Sequence, residues 1–388
     1  MAPKIRLDVN AIAPPILLAG LLAAMALTAL ESPLYTWDLV PYVATTLADA
    51  QTDPETLHRA TYAQLRATLP APAYEFLTSG PYAARMAEDA LQFSSQLPLY
   101  QVKPGYIWLL RLLDVFGLEP VSAVMLLSLL PGLLIVLLLF VWVQPLTGAW
   151  PALGIAALFI PSARLVDISR VGVPDNLSAF VLLLAVYGMT ARQWRSASFG
   201  LLLFAIAVRL NNIVFVASLL AVMGLSACRK NNWRPDRSLA PIGFALAASV
   251  SVYMAIAIRN GHQWWRLFHH TFVAPIYDLN SFDESFSAQV YLDVLASAMG
   301  QILASGATLN TVLPVFLLLG SVAALLPGAR RSPLLGVMAV IPPTLLVYFL
   351  MFPLVPGWDR FFTPFYALAV VFACDAAAKE GGDRPRLI

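Results

Sequence analysis

Long uncharged apolar blocks constrain this chain more than any other feature. The block Val121–Val143 has no charged residue in 23 positions, and Leu239–Ile258 has none in 20. A hydrocarbon core about 30 Å thick requires roughly 20 apolar residues in a helix. The blocks lack strand alternation, and a bilayer offers the backbone no water. Helices are therefore the spanning form that these blocks predict.

The composition extends this interpretation to the whole sequence. Of 388 residues, 59% are hydrophobic and 12% are charged, about half the charged fraction of a soluble domain. We predict a single all-α membrane domain over 1–388, a polytopic transmembrane helix bundle of about ten spans, within a range of about nine to twelve. The predicted spans are 12–30, 121–143, 151–164, 177–190, 197–208, 213–227, 239–258, 308–326, 334–355 and 361–377.

Basic residues are distributed unequally between the two sides of this threading. With the N-terminus inside, the cytoplasmic segments carry 13 basic and 5 acidic residues, and the other side carries 11 basic and 17 acidic residues. Three short loops, 191–196, 228–238 and 327–333, all follow the positive-inside rule. We therefore expect both termini in the cytoplasm. The apolar run Ile12–Leu30 is long for a cleaved signal peptide, and we interpret it as a retained first span.

Two long polar segments, 31–120 and 259–306, fall on the outer side. The first has helix-forming pieces separated by prolines, and each segment contains an apolar helix suited to the interface, Tyr106–Leu118 and 288–304. We expect no soluble C-terminal domain. No basic patch with interleaved aromatic residues suggests a nucleic-acid partner, and the two cysteines show neither zinc spacing nor a reason for a disulfide.

Charge near membrane depth is costly, so its position indicates function. Asp38, in Thr36-Trp-Asp38-Leu-Val-Pro-Tyr42, suits a general base for an acceptor hydroxyl or amine, or alternatively a cap for the helix that follows. Lys103, before Pro104, lies either where a lipid phosphate would bind or where a lysine extends towards headgroups.

Two further polar clusters interrupt the apolar pattern. The loop from Arg164 to Asn176 contains Asp167, Arg170 and Asp175. Asp175 follows a proline and would cap a helix, but the loop holds more polar residues than capping requires. Arg209 interrupts an apolar run of 29 residues, which predicts a tight helical hairpin. Its guanidinium needs an anion, either a phosphate or an intramolecular carboxylate such as Asp175 or Asp167.

The order of these motifs resembles the GT-C superfamily of membrane glycosyltransferases, and within it the bacterial branch of aminoarabinose transferases and protein O-mannosyltransferases. The resemblance covers 31–227 in order and 357–372 more weakly. It rests on five motifs, namely Asp38-Leu-Val-Pro-Tyr42, Lys103-Pro-Gly-Tyr106-Ile-Trp108, Val173-Pro-Asp175-Asn-Leu177, Arg209, and Arg360-Phe-Phe-Thr-Pro364.

The resemblance implies a GT-C-like fold in the bacterial inner membrane and a polyprenyl-phosphate-linked sugar as donor. The acceptor would be a lipid, a glycan or a protein. By resemblance, Asp38 is the catalytic base, Asp175 assists it or helps organise the site, and Lys103 with Arg209 holds the donor phosphate. We also predict that substrate binding involves Tyr42, Tyr106, Asp167, Arg170, Asn212, His269 and Arg360. Leu39 replaces the family's glutamate, which puts any metal or acceptor contact by that side chain in doubt. A divalent cation stays an open possibility.

Two other functions remain open on sequence alone. A lipid or polysaccharide transporter would distribute charges through the membrane depth and show internal repeats, which this sequence lacks. A non-catalytic subunit of a glycan assembly complex would leave Asp38 and Asp175 far apart.

Overall fold

The computed structural model describes residues 9–48, 53–230, 232–233, 237, 239–304, 312–353 and 359–380. Part of loop 228–238 lies outside these residues, as do the terminal charged residues Lys4, Arg6, Asp8, Asp383, Arg384 and Arg386. Within the described part of the chain, all regular elements are helices, and an isolated parallel bridge joins Leu34 to Val171.

Twenty α-helices follow one another along the described chain. They are α1 Val9–Glu31, α2 Leu39–Leu47, α3 Pro54–Thr68, α4 Ala71–Thr78, α5 Pro81–Glu88, α6 Ala90–Gln96, α7 Pro98–Gln101, α8 Pro104–Val115, α9 Pro120–Thr147, α10 Ala149–Ser162, α11 Leu165–Ser169, α12 Asp175–Thr190, α13 Arg195–Val208, α14 Asn212–Lys230, α15 Leu239–Arg259, α16 Trp264–Phe272, α17 Ala288–Ala304, α18 Val312–Leu325, α19 Leu335–Met351 and α20 Thr363–Glu380. Short 3₁₀ helices occupy Pro327–Arg331 and Asp359–Phe361.

Each of the ten predicted spans overlaps one of these helices, and residues 308–311 and 354–355 of two spans lie outside the described residues. Among the described residues, four helices are long and apolar enough to cross a membrane, which are Ile12–Glu31 of α1, then α9, α14 and α15. Helices α10, α12, α13, α17, α18 and α19 are apolar but shorter. The described residues therefore form an all-helical bundle with membrane-length helices.

Prolines organise the first polar segment as the sequence predicted. Helices α3, α5, α7 and α8 each carry proline in the first turn, where its missing N–H is not needed. Asp53 also caps α3 by accepting from the Thr56 N–H at 2.8 Å. The segment 31–120 thus folds into seven short helices, α2 to α8, between α1 and α9.

Helix α12 lies at the centre of the bundle and packs against α9, α13 and α20. Its start is held by Asn176, whose side-chain amide donates to Ser128 O at 2.9 Å and to Ser169 Oγ at 3.0 Å. A Cβ at Gly132 would overlap that Ser169 hydroxyl, so the glycine permits the close approach of α9. Leu34 N–H donates to Arg170 O at 2.8 Å, which brings the segment after α1 beside the start of α12.

The predicted hairpin is present, with α13 and α14 joined by a turn at 209–211. Asn212 stabilises it by donating to Ala205 O at 2.7 Å and to Ser178 Oγ at 2.8 Å. The second contact attaches the turn to α12, so Arg209 lies close to Asp175.

The segment after α16 is bonded to the first polar segment. Gln96 of α6 donates to Tyr277 O at 2.9 Å, and Leu279 N–H donates to Ser95 Oγ at 3.0 Å. Trp264 Nε1 donates to Met351 O at 2.9 Å at the end of α19. Helix α16 is thereby held between two parts of the fold.

Candidate functional site

A cavity of about 570 Å³ opens where the first polar segment, α12, the α13–α14 turn, α16 and the end of α19 meet. Five charged residues of the predicted site line it, drawn from distant parts of the chain. They are Asp38, Lys103, Asp175, Arg209 and Arg360. Tyr42 also lines the cavity.

Asp175 lies deepest in this cluster. Its side chain is 3% exposed, one oxygen is paired with Arg209 Nη1, and Oδ2 lies 3.3 Å from Arg360 Nε. The alternative in which Asp175 caps the helix is wrong, because Pro174 precedes the helix, Asp175 is its first residue, and no cap hydrogen bond forms. Both carboxylate oxygens instead hold arginines. The competing expectation of an intramolecular carboxylate partner for Arg209 is confirmed for Asp175.

Asp38 is more accessible, with a side chain 33% exposed. The capping alternative is wrong here as well, because the side chain makes no hydrogen bond to the α2 backbone. Its Oδ1 accepts from the Tyr100 hydroxyl at 2.9 Å, and its Oδ2 lies 3.7 Å from Arg360 Nη2. Arg360 therefore bridges the two carboxylates, and Asp38 keeps access to the cavity.

Lys103 lies over two tyrosine rings rather than extending away from the protein. Its Nζ donates to the Tyr42 hydroxyl at 2.6 Å. It also lies 5.0 Å from the ring centroid of Tyr42 and 4.9 Å from that of Tyr100. Burial lowers the pKa of Lys103 to about 7, with Arg209 and Arg360 adding to the decrease and Asp38 opposing it. Near neutral pH the Lys103 side chain can therefore exist either as the charged ammonium or as the neutral amine.

Arg209 is oriented by an aromatic ring as well as by Asp175. Its guanidinium lies 3.5 Å from the ring centroid of Phe361, a cation–π contact that adds to the ion pair. Phe361 follows Arg360 directly, so the same short 3₁₀ helix positions both arginines.

Five predicted substrate-binding residues do not line the cavity. Tyr106 is buried behind Tyr42, with ring centroids 5.0 Å apart. Asn212 holds the hairpin. Asp167 and Arg170 lie 3.7 Å apart as an ion pair of their own, and Arg170 Nε donates to Ser32 O at 2.5 Å. His269 lies 3.1 Å from Glu284. These side chains have structural partners because the fold uses them to join loops to helices.

Sequence reasoning missed several polar side chains of the cavity wall. These are Tyr82, Tyr100, Asn211, His262 and His270. Tyr100 had a usable signal, since it lies three residues before Lys103 and one helical turn brings it to the same side. For His270, no sequence signal distinguished it from its neighbour His269. These polar side chains of the wall therefore come from both long segments and from the α13–α14 turn.

Within the described residues, no group of three or more His, Cys, Asp or Glu side chains could hold a metal ion. Asp38 and Asp175 already contact Arg360. The divalent cation remains a prediction. The cysteines Cys228 and Cys374 are free thiols.

The fold and cavity together define an all-helical protein with membrane-length apolar helices and a charged cavity between helices and loops. In comparisons with known proteins, no family model, no curated protein and no solved structure matches this chain significantly. Any functional interpretation therefore depends on the geometry of the cavity.

Proposed function

We propose that the protein is a membrane glycosyltransferase that moves a sugar from a polyprenyl-phosphate donor to a lipid, glycan or protein acceptor. One observation carries the proposal. An accessible carboxylate, Asp38, shares a cavity of about 570 Å³ with three cationic side chains. In this proposal about ten helices span the inner membrane in a GT-C-like arrangement, both termini are cytoplasmic, and the cavity faces the outer side.

Charge in the cavity suits a phosphodiester. Lys103, Arg209 and Arg360 provide three positive charges when Lys103 is protonated, and Asp38 and Asp175 provide two negative ones. The surplus of one positive charge matches the single negative charge of a polyprenyl-phospho-sugar. Cations placed where charge develops on a leaving group lower the barrier to its departure.

The proposed reaction is a direct displacement with inversion. Asp38 accepts the proton of the acceptor hydroxyl or amine while that atom attacks the anomeric carbon. The bond between the anomeric carbon and the phosphate oxygen breaks, and its electron pair leaves with the polyprenyl phosphate. Lys103 and the arginines stabilise the charge on that phosphate. Asp175 is a positioning residue, because its oxygens hold Arg209 and Arg360.

Apolar and aromatic side chains form another part of the wall and suit a prenyl chain. Ile213 and Val214 of α14, Tyr253 of α15, and Met351 and Phe352 near the end of α19 all line the same cavity. This combination of apolar wall and few directed polar groups is typical of small-molecule sites.

Two observations support the proposal over its alternatives. A non-catalytic subunit predicts separated carboxylates, whereas Arg360 contacts both Asp38 and Asp175. A transporter predicts charges spread along the helices, whereas this cluster gathers at one cavity.

The test uses purified protein with synthetic farnesyl-phospho-monosaccharides and a bacterial lipid extract as acceptor. We expect farnesyl phosphate to be released and sugar to appear on the acceptor for at least one donor. A protein that binds none of these donors and releases no farnesyl phosphate would refute the proposal.

A further inference from the structure

His270 presents a directed hydrogen-bond donor to the cavity. Its Nδ1 accepts the Ile276 backbone N–H at 3.0 Å, so the proton of the neutral ring resides on Nε2. No described residue contacts that Nε2 through a hydrogen bond, and the ring lines the cavity. Burial lowers the pKa of His270 below its usual range. The ring is therefore neutral at physiological pH.

Tyr82 continues this polar wall towards Asp38. Its ring centroid lies 5.6 Å from that of His270 and 4.9 Å from that of Trp37. Trp37 in turn lies 6.2 Å from Tyr100, whose hydroxyl bonds Asp38. The Tyr82 hydroxyl is buried and has no hydrogen-bond partner among the described residues.

Asn211 also lines the cavity, in the α13–α14 turn, and its Oδ1 has no partner in the described part of the chain. This oxygen and the Tyr82 hydroxyl are both closed off from solvent. Neither atom is open to the cavity, so the directed polar contact that this wall offers a ligand is the His270 Nε2–H.

The wall is held rigidly enough to select a ligand. Tyr277 O, next to Ile276, accepts from the buried Gln96 at 2.9 Å. The ring centroid of Tyr277 lies 5.9 Å from that of Tyr82. The Arg85 guanidinium carbon lies 5.3 Å from the Tyr277 ring centroid. Fixed side-chain directions are what specificity requires.

We infer that His270 and the ring of Tyr82 form a subsite for the transferred sugar, with the His270 Nε2–H as a specificity-determining donor to a sugar hydroxyl. The inference rests on the proposed function and adds to it the recognition of a neutral polyhydroxylated ring. An uncharged donor beside an aromatic ring suits a sugar and not a phosphate. Both residues line the cavity that Asp38 also lines, so a sugar bound here shares that cavity with the proposed base.

Two amide variants separate recognition from a merely structural role. In His270→Asn, the side-chain oxygen replaces Nδ1 as acceptor for Ile276, but the Nε2–H donor is lost. In His270→Gln, the amide N–H₂ replaces the Nε2–H donor, and the Ile276 contact is lost. We expect kcat/KM to fall about threefold to tenfold in the Asn variant, the effect of one lost hydrogen bond, and to fall less in the Gln variant. His269→Asn, on the neighbouring residue outside the cavity, is the matched control and should keep wild-type activity.

Binding is measured separately by saturation-transfer NMR with methyl glycosides and by titration with farnesyl phosphate. We expect His270→Asn to weaken the glycoside signal and to leave farnesyl phosphate binding unchanged. A greater loss in the Gln variant, equal losses in both, or no loss in either would overturn the subsite.

The same measurements distinguish the two proposals. If the wild type transfers no sugar but shows a glycoside signal that depends on His270, the subsite stands and the proposed function fails. If the wild type transfers sugar and His270→Asn matches it, the subsite fails alone. Absence of both transfer and a glycoside signal in the wild type overturns both.

Discussion

Arg360 Nη2 lies 3.7 Å from Asp38 Oδ2, so a residue just before the last helix contacts one just before the second helix. Arg360 Nε also lies 3.3 Å from Asp175 Oδ2. One guanidinium thus joins two carboxylates that differ in accessibility. Asp38 is open to the cavity, whereas Asp175 is buried against two arginines, and this difference assigns them different roles in the proposed mechanism.

Replacing Asp38 tests the proposed base. Asp38→Asn keeps the shape and still accepts from Tyr100, but it cannot take up a proton near neutral pH. Positioned general-base catalysis contributes roughly a hundredfold to ten-thousandfold, so turnover should fall by that order. Stability should change little, because Asp38 makes no cap hydrogen bond. Sugar transfer and thermal unfolding are measured together, and a stable variant with wild-type turnover would move the base elsewhere.

Arg209 tests the proposed phosphate contact. A charge-assisted hydrogen bond contributes about 1.5–3 kcal/mol, so Arg209→Ala should weaken donor binding about tenfold to a hundredfold. Arg209→Lys should lose less, because it retains the charge but not the bidentate geometry. Titration with a farnesyl-phospho-monosaccharide measures the affinity. Arg164→Ala is the control, since that side chain is 50% exposed and pairs with Asp167. Equal donor affinity in wild type and Arg209→Ala would contradict the assignment.

Asp175 should matter for stability more than any exposed carboxylate. Asp175→Ala leaves Arg209 without its carboxylate in a largely buried setting. The loss of one partner of a buried pair typically costs about 3–5 kcal/mol. Asp167→Ala is the matched control, because its side chain is 47% exposed and surface changes usually stay within about 0.5 kcal/mol. Chemical unfolding in detergent gives both values, and similar values for the two variants would show that the buried cluster is not structural.

Lys103 should make donor binding depend on pH. Because its pKa is lowered to about 7, the ammonium is charged below that pH and neutral above it. Affinity for a phosphodiester donor should therefore fall between pH 7 and pH 9, by at most about tenfold per pH unit. Lys103→Arg stays charged and should show a flat profile. The lowered pKa values of His262 and His270 place their titration below this window. A flat wild-type profile would contradict a role for Lys103 in donor binding.

The lowered pKa of Lys103 also makes the free energy of unfolding depend on pH. Between pH 7 and 10.5, an unfolded Lys103 binds a proton that the folded form has lost. The free energy of unfolding should therefore rise with pH across this window, relative to Lys103→Met, which cannot titrate. Unfolding at pH 7 and pH 9 in both proteins measures the difference.

Topology is tested by cysteine labelling in a background with Cys228→Ser and Cys374→Ser. The charge asymmetry predicts that Lys230→Cys is labelled from the cytoplasm and that Ser79→Cys, in the first polar segment, is labelled from outside. Both positions are exposed in the structure. Labelling of position 230 by an impermeant reagent added outside intact cells would invert the threading.

Much of the fold was predictable because local chemistry determines it. Apolar runs without strand alternation indicated the helices, prolines marked the starts of α3, α5, α7 and α8, and the interruption at Arg209 marked the hairpin. In each case the determining residues lie within one or two helical turns of the feature. The membrane-length helices have the same origin, since length and hydropathy are properties of contiguous sequence.

The residues that line the cavity were only partly predictable from the sequence. A carboxylate before an apolar helix gives the same sequence pattern whether it caps that helix or binds an arginine. The structure was therefore required to distinguish these roles for Asp38 and Asp175. His269 and His270 are adjacent in sequence, but consecutive residues of a helix point about 100° apart. One of them faces Glu284, and the other faces the cavity.

Local sequence is enough to predict a helical bundle with apolar helices of membrane length, because backbone hydrogen bonding and apolar length depend on neighbouring residues. Tertiary structure alone decided which charges meet. Arg360 and Asp38 contact each other because α12 packs against both α9 and α20, and because the Leu34–Arg170 hydrogen bond holds the segment after α1 beside α12. Such contacts depend on how distant helices pack, and sequence spacing carries no record of that packing.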